Sequence, residues 1–207
     1  ANTVAERLRL HNVGGDHVAE ALGHRIRLVG MASAGNGLLQ RVQPCLVPLA
    51  HPLAHVTGSL NAVVAEGNFV GRLFLQGRGA GEGPTASAVV ADLIDIARGE
   101  TGPAFAMPVA SLARTDRAPS GESLARTYLR FIVADRPGVL AEITAAMRDA
   151  GVSIESLLQQ GNKVNAQVMV AMVTHEGPES AITEALRLLE GSPALAEAPL
   201  VMHILGD

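Results

Sequence analysis

The sequence predicts an α+β protein: a mostly antiparallel sheet with a covering helix, followed by a ferredoxin-like βαββαβ unit. Three observations predict it. From Thr127 to Leu205 the apolar pattern runs strand, helix, strand, strand, helix, strand. From Arg25 to Gln76 four strand-like runs are divided by Ala34-Gly35-Asn36-Gly37, by a loop over Pro48 to Thr57, and by Gly67-Asn68. Between these regions, residues 99–125 are rich in Gly, Pro, Ser and Ala and show only weak periodicity. The division that follows is 16–98, a linker over 99–125, and 126–207.

In chain order, Asp16 is placed to cap a short helix, His17 to Leu22, stopped by Gly23. Arg25 to Ala32 and Leu39 to Val47 read as two strands, with Pro44 favouring an edge or a bulge in the second. Ser59 to Glu66 and Phe69 to Gln76 follow as strands three and four. A helix starts at Pro84 or Thr85, runs to Arg98 and ends at Gly99. Its stripe of Ala86, Val89, Val90, Leu93, Ile96 and Ala97 is expected to pack on a four-stranded sheet. A short ordered piece is expected in the linker around Met107 to Ala113. Beyond the linker come strand Thr127 to Ala134, helix Pro137 to Ala150 and strand Val152 to Gln160. Strand Val164 to Thr174, helix Pro178 to Glu190 and strand Leu200 to Leu205 complete the unit.

Composition excludes several function classes. Hydrophobic residues make up 48% of 207, enough for real cores. With no Trp, one Tyr, four Phe and a net charge of −4, the chain offers neither stacking platforms nor a global attraction to nucleic acid or anionic membrane. No apolar run reaches the ~18 residues of a membrane span, and the N-terminal stretch lacks the apolar core of a signal peptide, so a cytoplasmic protein is expected. The sequence opens without Met, consistent with processing or truncation. The lone Cys45 has no intrachain partner and reads as a buried strand residue; no Cys/His cluster has metal spacing. Lys163 is the only lysine against fifteen arginines. Arg holds its proton near neutral pH, so lysine acid–base chemistry would need Lys163 or another chain.

Two motifs can meet a ligand. In Gln76-Gly77-Arg78-Gly79-Ala80-Gly81-Glu82-Gly83-Pro84-Thr85, alternating glycines permit close backbone approach, and the helix behind presents free N–H groups. The spacing matches neither the dinucleotide fingerprint nor a P-loop, and Glu82 would repel a close phosphate. A structural turn and a ligand edge both remain open on spacing alone. In Asp135-Arg136-Pro137-Gly138-Val139-Leu140, a strand ends and a helix opens, so the N–H groups of Gly138 to Leu140 can receive a carboxylate. A plain helix start explains the same residues. His51-Pro52-Leu53-Ala54-His55 reads as solvent-exposed or lightly structural, as do His11, His17, His24, His175 and His203. Asp92 and Asp95 read as a solvated helix face.

Taken together, His51-Pro-Leu-Ala-His-Val, Asn61-Ala-Val-Val and the long string from Gly77 to Leu93 resemble the C-terminal half of homoserine dehydrogenase. Leu129-Arg-Phe-Ile-Val-Ala-Asp-Arg-Pro-Gly-Val-Leu-Ala-Glu-Ile, with Val152-Ser-Ile-Glu-Ser-Leu-Leu-Gln-Gln, resembles an ACT domain. The resemblance implies an enzyme that interconverts L-homoserine and aspartate semialdehyde with NAD(P), on the route to threonine, methionine and isoleucine. It implies that a Rossmann domain and the catalytic lysine lie upstream of this chain, so no catalytic residue is assigned here. By the same resemblance Gly81, with Gly79 and Thr85 beside it, would touch the nicotinamide end of the cofactor, which favours the ligand-edge reading. An amino-acid effector, threonine favoured, would be held by Asp135, Gly138, Val139 and Leu140, with Ile154 lining the pocket. A homodimer or larger homo-oligomer is implied, with a separate Rossmann chain as a further partner. The competing expectations are a stand-alone amino-acid-binding regulatory module and a purely structural dimerisation piece.

Overall fold

The computed structural model describes residues 15–35, 37–100, 102–103, 105–119, 121, 123–162 and 167–206. The expectations on Lys163, on Val164 to Ala166 and on His11 fall outside them, as does the side chain of Asp16. The elements are α1 (Gly15–Ala21), β1 (His24–Gly35), β2 (Gly37–Pro48), β3 (Leu60–Gly67), β4 (Gly71–Arg78) and α2 (Glu82–Arg98). They continue with β5 (Leu124–Ala134), α3 (Val139–Asp149), β6 (Ile154–Asn162), β7 (Gln167–Thr174), β8 (Gly177–Pro178), α4 (Glu179–Leu188) and β9 (Leu200–Ile204). The result is an α+β fold, and β5-α3-β6-β7-α4-β9 has the expected βαββαβ order.

The first four strands do not form one sheet. The path β1-β2-β9-β5-β7-β6 runs through a single sheet, whereas β3 and β4 pair only with each other. The compact units follow this pairing: 15–49 and 117–206 make one, and 50–116 the other. The difference from 16–98, 99–125 and 126–207 comes from β2, which lies parallel to β9 through Cys45↔His203 and Leu46↔Ile204. Pairing between residues more than 150 apart leaves no mark on local periodicity. Pro44 neither breaks β2 nor shifts its register with β1; it falls just before the pairing with β9 begins, where its missing N–H costs nothing to that ladder.

In the larger unit the sheet is covered on both faces. Leu129, Phe131 and Val133 of β5 and Val168, Val170 and Met172 of β7 point to one face, where they meet Val139, Ile143 and Met147 of α3 and Ile182 and Ala185 of α4. Tyr128, Met169, Ala171 and Val173 point to the other, with Val18 and Ala19 of α1, Leu46, Met202 and Ile204. Strand alternation sends neighbours to opposite faces, so a strand between two cores becomes apolar throughout. Fully buried Phe131, Leu129, Ile143 and Met172 each contribute roughly 1.5–3 kcal/mol of transfer energy. The helix α3 forms because Val139, Ile143, Ala146 and Met147 make one buried stripe, and Gly151 (φ 76°) turns the chain out of it.

The smaller unit holds the β3–β4 hairpin, a short 3-10 turn at Pro52–His55 and α2. The expected seating of the α2 stripe on a sheet is not observed: no α2 residue is buried, and Leu93 is 59% and Ile96 62% exposed. Its C-terminus is as expected, with Gly99 left-handed (φ 75°) and the Gly99 and Glu100 N–H groups donating to Ile96 and Asp95 carbonyls. The ordered linker piece is a 3-10 turn at Val109–Ser111.

The β1–β2 turn is tied to the end of the linker. Ala118 N–H donates to the Leu38 carbonyl (3.1 Å), and a Cβ at Gly37 (φ 99°) would lie 2.8 Å from the Ala118 nitrogen. Gly37→Ala is therefore strained twice and should cost more than about 1 kcal/mol, whereas Gly30→Ala meets only Val42 at 3.7 Å. Denaturant unfolding of the two variants checks this; equal midpoints would refute it. Arg130 is 7% exposed, with Nε and Nη1 lacking hydrogen-bond partners among the described residues. Arg130→Met removes that desolvated charge and is expected to stabilise by about 1 kcal/mol or more, read as a higher unfolding midpoint.

Candidate functional site

The first candidate is the glycine loop. Asn61 lies opposite Gly77 on β3–β4, so the hairpin delivers the chain at Arg78 beside the Asn61 side chain. At Gly79 an added Cβ would sit 2.7 Å from Asn61 Nδ2, so glycine keeps loop and amide close. Gly81 is the N-cap of α2 with φ 113° and ψ 160°, a conformation essentially reserved for glycine. Its carbonyl accepts from Thr85 N–H at 3.1 Å and starts the helix. No residue from Gly77 to Gly83 is buried. The helix starts at Glu82, two or three residues earlier than expected, which brings the N–H groups of its first turn up against Gly81. Gly79, Gly81 and Thr85 thus share one exposed cradle at a helix N-terminus. Glu82 in the first turn offsets the positive end of the helix and makes that cradle poor for phosphate.

The second candidate is a cavity of about 380 Å³ in the βαββαβ unit. It is lined by Asp135, Gly138, Val139 and Leu140, four of the five residues that the resemblance names for an effector, and also by Arg136, Gln159, Val168 and Val170. Gly138 (φ 93°) is the N-cap of α3 with no side-chain cap, so the first N–H groups of α3 face the cavity mouth unsatisfied by a capping side chain. Ile154 is not part of it. That residue pairs with Thr174, four positions along β7 from Val170, and packs into the core. Distance along the strand keeps it out, and a separate feature of β6 decides the cavity's polar wall: a register shift between Ile154 and Ser156, which leaves Glu155 as an extra residue. A bulge reverses which face later residues take. It turns Leu158 to the α1 side of the sheet and brings Gln159, opposite Val170, to the cavity. Alternation read without the bulge places Gln159 on the wrong face, so the sequence carries no usable signal for it.

The remaining side chains resolve as structure. His51 is buried, and its Nδ1 accepts from Leu53 N–H at 3.3 Å to cap the Pro52–His55 turn, while His55 is exposed. His24 and His203 take the structural side of their sequence reading: they are buried and half-buried, respectively, and hydrogen-bonded, and burial lowers the pKa of each. Asp92 and Asp95 are exposed on α2. Cys45 is fully buried and burial raises its thiol pKa, which keeps it protonated and unreactive. Among the described residues no group of three or more His, Cys, Asp or Glu is placed to hold a metal ion, and no helix is long and apolar enough to cross a membrane.

Comparison with known proteins joins both candidates. The profile of the homoserine dehydrogenase family matches residues 8–94, and that of the ACT domain matches residues 127–191. The homoserine dehydrogenase of Neisseria gonorrhoeae is 38% identical over 89% of this chain. The chain belongs to the homoserine dehydrogenase family. It corresponds to the C-terminal region with its ACT domain. The enzyme of Corynebacterium glutamicum is 33% identical over 91% of the chain. The crystal structure of a Thiobacillus denitrificans homoserine dehydrogenase superposes with a TM-score of 0.79 at 36% identity, covering 92% of this chain and 44% of that one. The chain spans less than half the length of these relatives, 44% and 43% for the two sequences.

The glycine loop geometry gives a direct test. Gly81→Ala places a side chain where the backbone disfavours it by about 1–3 kcal/mol, while at Gly79 the Asn61 amide can swing aside. Gly81→Ala should speed tryptic cleavage after exposed Arg78 more than Gly79→Ala does. Gly83→Ala, with nothing within 4 Å, should not speed it at all.

Proposed function

We propose that this chain is the C-terminal part of a homoserine dehydrogenase, contributing the nicotinamide-side edge of an NAD(P) site and an amino-acid-sensing ACT domain. The observation that carries the reading is the continuous similarity to homoserine dehydrogenases across both candidate sites, covering 89% of the chain. The glycine loop supports it, because Gly81 adopts a positive-φ conformation at an exposed helix start and Gly79 lets the loop lie close against Asn61. The cofactor supplies the hydride acceptor; this chain's share is to shape one wall beside it. NAD(P) is held mainly by a Rossmann domain in this reading, on the same or another chain. Lys163 is the sole lysine and belongs to the ACT-matching segment, so the acid–base lysine of the reaction is also expected elsewhere.

For the effector, the cavity fits a small amino acid in size and chemistry. The free N–H groups at the start of α3 suit an α-carboxylate, and Asp135 suits an α-ammonium. Val168 and Val170 supply an apolar floor, and Gln159 can read a side-chain hydroxyl, which favours threonine over valine. Exposed Val63, Leu75, Leu93 and Ile96 support a larger catalytic domain and a homo-oligomer as the natural setting. A stand-alone amino-acid-binding regulatory module is the second reading, favoured by a cavity that lies within one compact unit of this chain.

Two measurements test the proposal. Calorimetry should show threonine binding to the chain, weakened at least about tenfold by Asp135→Asn. No binding of any aliphatic amino acid at millimolar concentration would reduce the ACT unit to a structural role. With homoserine and NAD(P) the chain alone should transfer no hydride, and a Rossmann-bearing chain added in trans should restore transfer. Turnover by the chain alone would refute the assignment of the lysine elsewhere.

A further inference from the structure

The β1–β2 hairpin meets the βαββαβ unit through a short backbone seam. The seam is Cys45↔His203, Leu46↔Ile204 and the Leu205 N–H donating to the Leu46 carbonyl at 2.8 Å. Beside it sits a three-residue polar cluster from three elements. Arg41 of β2 donates through Nη1 to Glu179 Oε1 at 2.7 Å, and Glu179 opens α4. The same Nη1 lies 3.1 Å from Nε2 of His203 on β9, and that Nε2 is 3.8 Å from Glu179 Oε1. The three side chains are only 20–23% exposed, so water replaces these contacts poorly.

The chemistry fixes the charge state of the histidine. A guanidinium has donors and no acceptor, so a hydrogen bond from Arg41 requires a lone pair on His203 Nε2. His203 is therefore neutral, with its proton on Nδ1. Protonation turns Nε2 into a donor facing another donor. Arg41 then loses an acceptor, and two cations compete for one carboxylate.

We propose that Arg41, Glu179 and His203 form a proton-released clasp that fastens the β1–β2 hairpin to the βαββαβ unit and loosens on acidification. The clasp spans the join between the segment matching homoserine dehydrogenase and the segment matching the ACT domain, so it makes the coupling of those segments pH-sensitive. It does not depend on an effector or cofactor being bound.

The sign follows from the groups that face His203. Burial lowers its pKa below 6.5, Arg41 lowers it further, and Glu179 alone raises it. The unfolded chain thus binds the proton more readily. The stabilisation is complete above about pH 6.5 and is lost as pH falls through the folded-state value. Among the described residues, one other histidine with a lowered pKa sits at the hairpin's attachment. His24, at the start of β1, donates from Nδ1 to the Leu22 carbonyl and faces the Arg126–Glu155 ion pair of β5 and β6. Burial lowers its pKa too, so the test must separate the two.

Hydrogen exchange of the Leu205 amide reads the seam, and ring 15N shifts read the state of His203. At about pH 7.5 His203 should be the neutral Nδ1–H tautomer. Between about pH 7.5 and about pH 5.5, after correction for intrinsic exchange, Leu205 protection should fall roughly fivefold relative to β5 and β7 amides. His203→Gln offers Arg41 an acceptor that does not titrate, so the fall should vanish, while His24→Gln should keep it. If His203→Gln misfolds, Arg41→Gln should show low protection at both pH values. An Nε2-protonated His203 at neutral pH, or an undiminished fall in His203→Gln, would overturn the proposal.

Discussion

The larger unit depends on two adjacent strands, β5 and β7, buried on both faces. Every residue of β7 from Val168 to Thr174 is buried, and β5 is buried without interruption from Tyr128 to Phe131. Such strands cannot exchange their ladder for water, so their pairing from Tyr128↔Val173 to Ala134↔Gln167 fixes the position of everything else. The helices α3 and α4 cover one face, and α1 covers the other together with residues of β2 and β9. The second core explains why the hairpin belongs to this unit. Without Leu46, Ile26 and α1, the face carrying Tyr128, Met169 and Ala171 would be exposed apolar surface.

This framework also positions the cavity. The rigid end of β5 leads through Asp135 and Gly138 into α3, so a helix N-terminus opens beside the ends of two packed strands. Its polar wall comes from β6, where one extra residue at Glu155 decides that Gln159 faces inward. The cavity is thus assembled from a core strand, a helix start and a bulged edge strand.

The unit at 50–116 obeys a different constraint. Its hairpin and helix follow local rules well: turns at glycine, a helix start after Gly81, a left-handed stop at Gly99. Yet its apolar residues remain exposed on α2, β3 and β4. Local propensity is sufficient to form the elements, while burying their apolar stripes requires surface that these residues do not supply to one another. The relatives that match this chain are more than twice its length.

By itself, the sequence determined the elements whose information is local. These are the βαββαβ order, the helix from the glycine loop to Arg98, the Gly99 stop and the helix-start residues Asp135 to Leu140. The order of motifs also carried the family resemblance, which the comparisons bear out. Only the tertiary structure decided that β2 joins β9, that the sheet has two cores, and that α2 lies uncovered. It also decided that Gln159 rather than Ile154 lines the cavity, and that His203 answers Arg41 and Glu179. Each of these rests on a contact between residues far apart in the chain or on a one-residue bulge. Periodicity records which face of an element is apolar, but not which distant surface that face will meet.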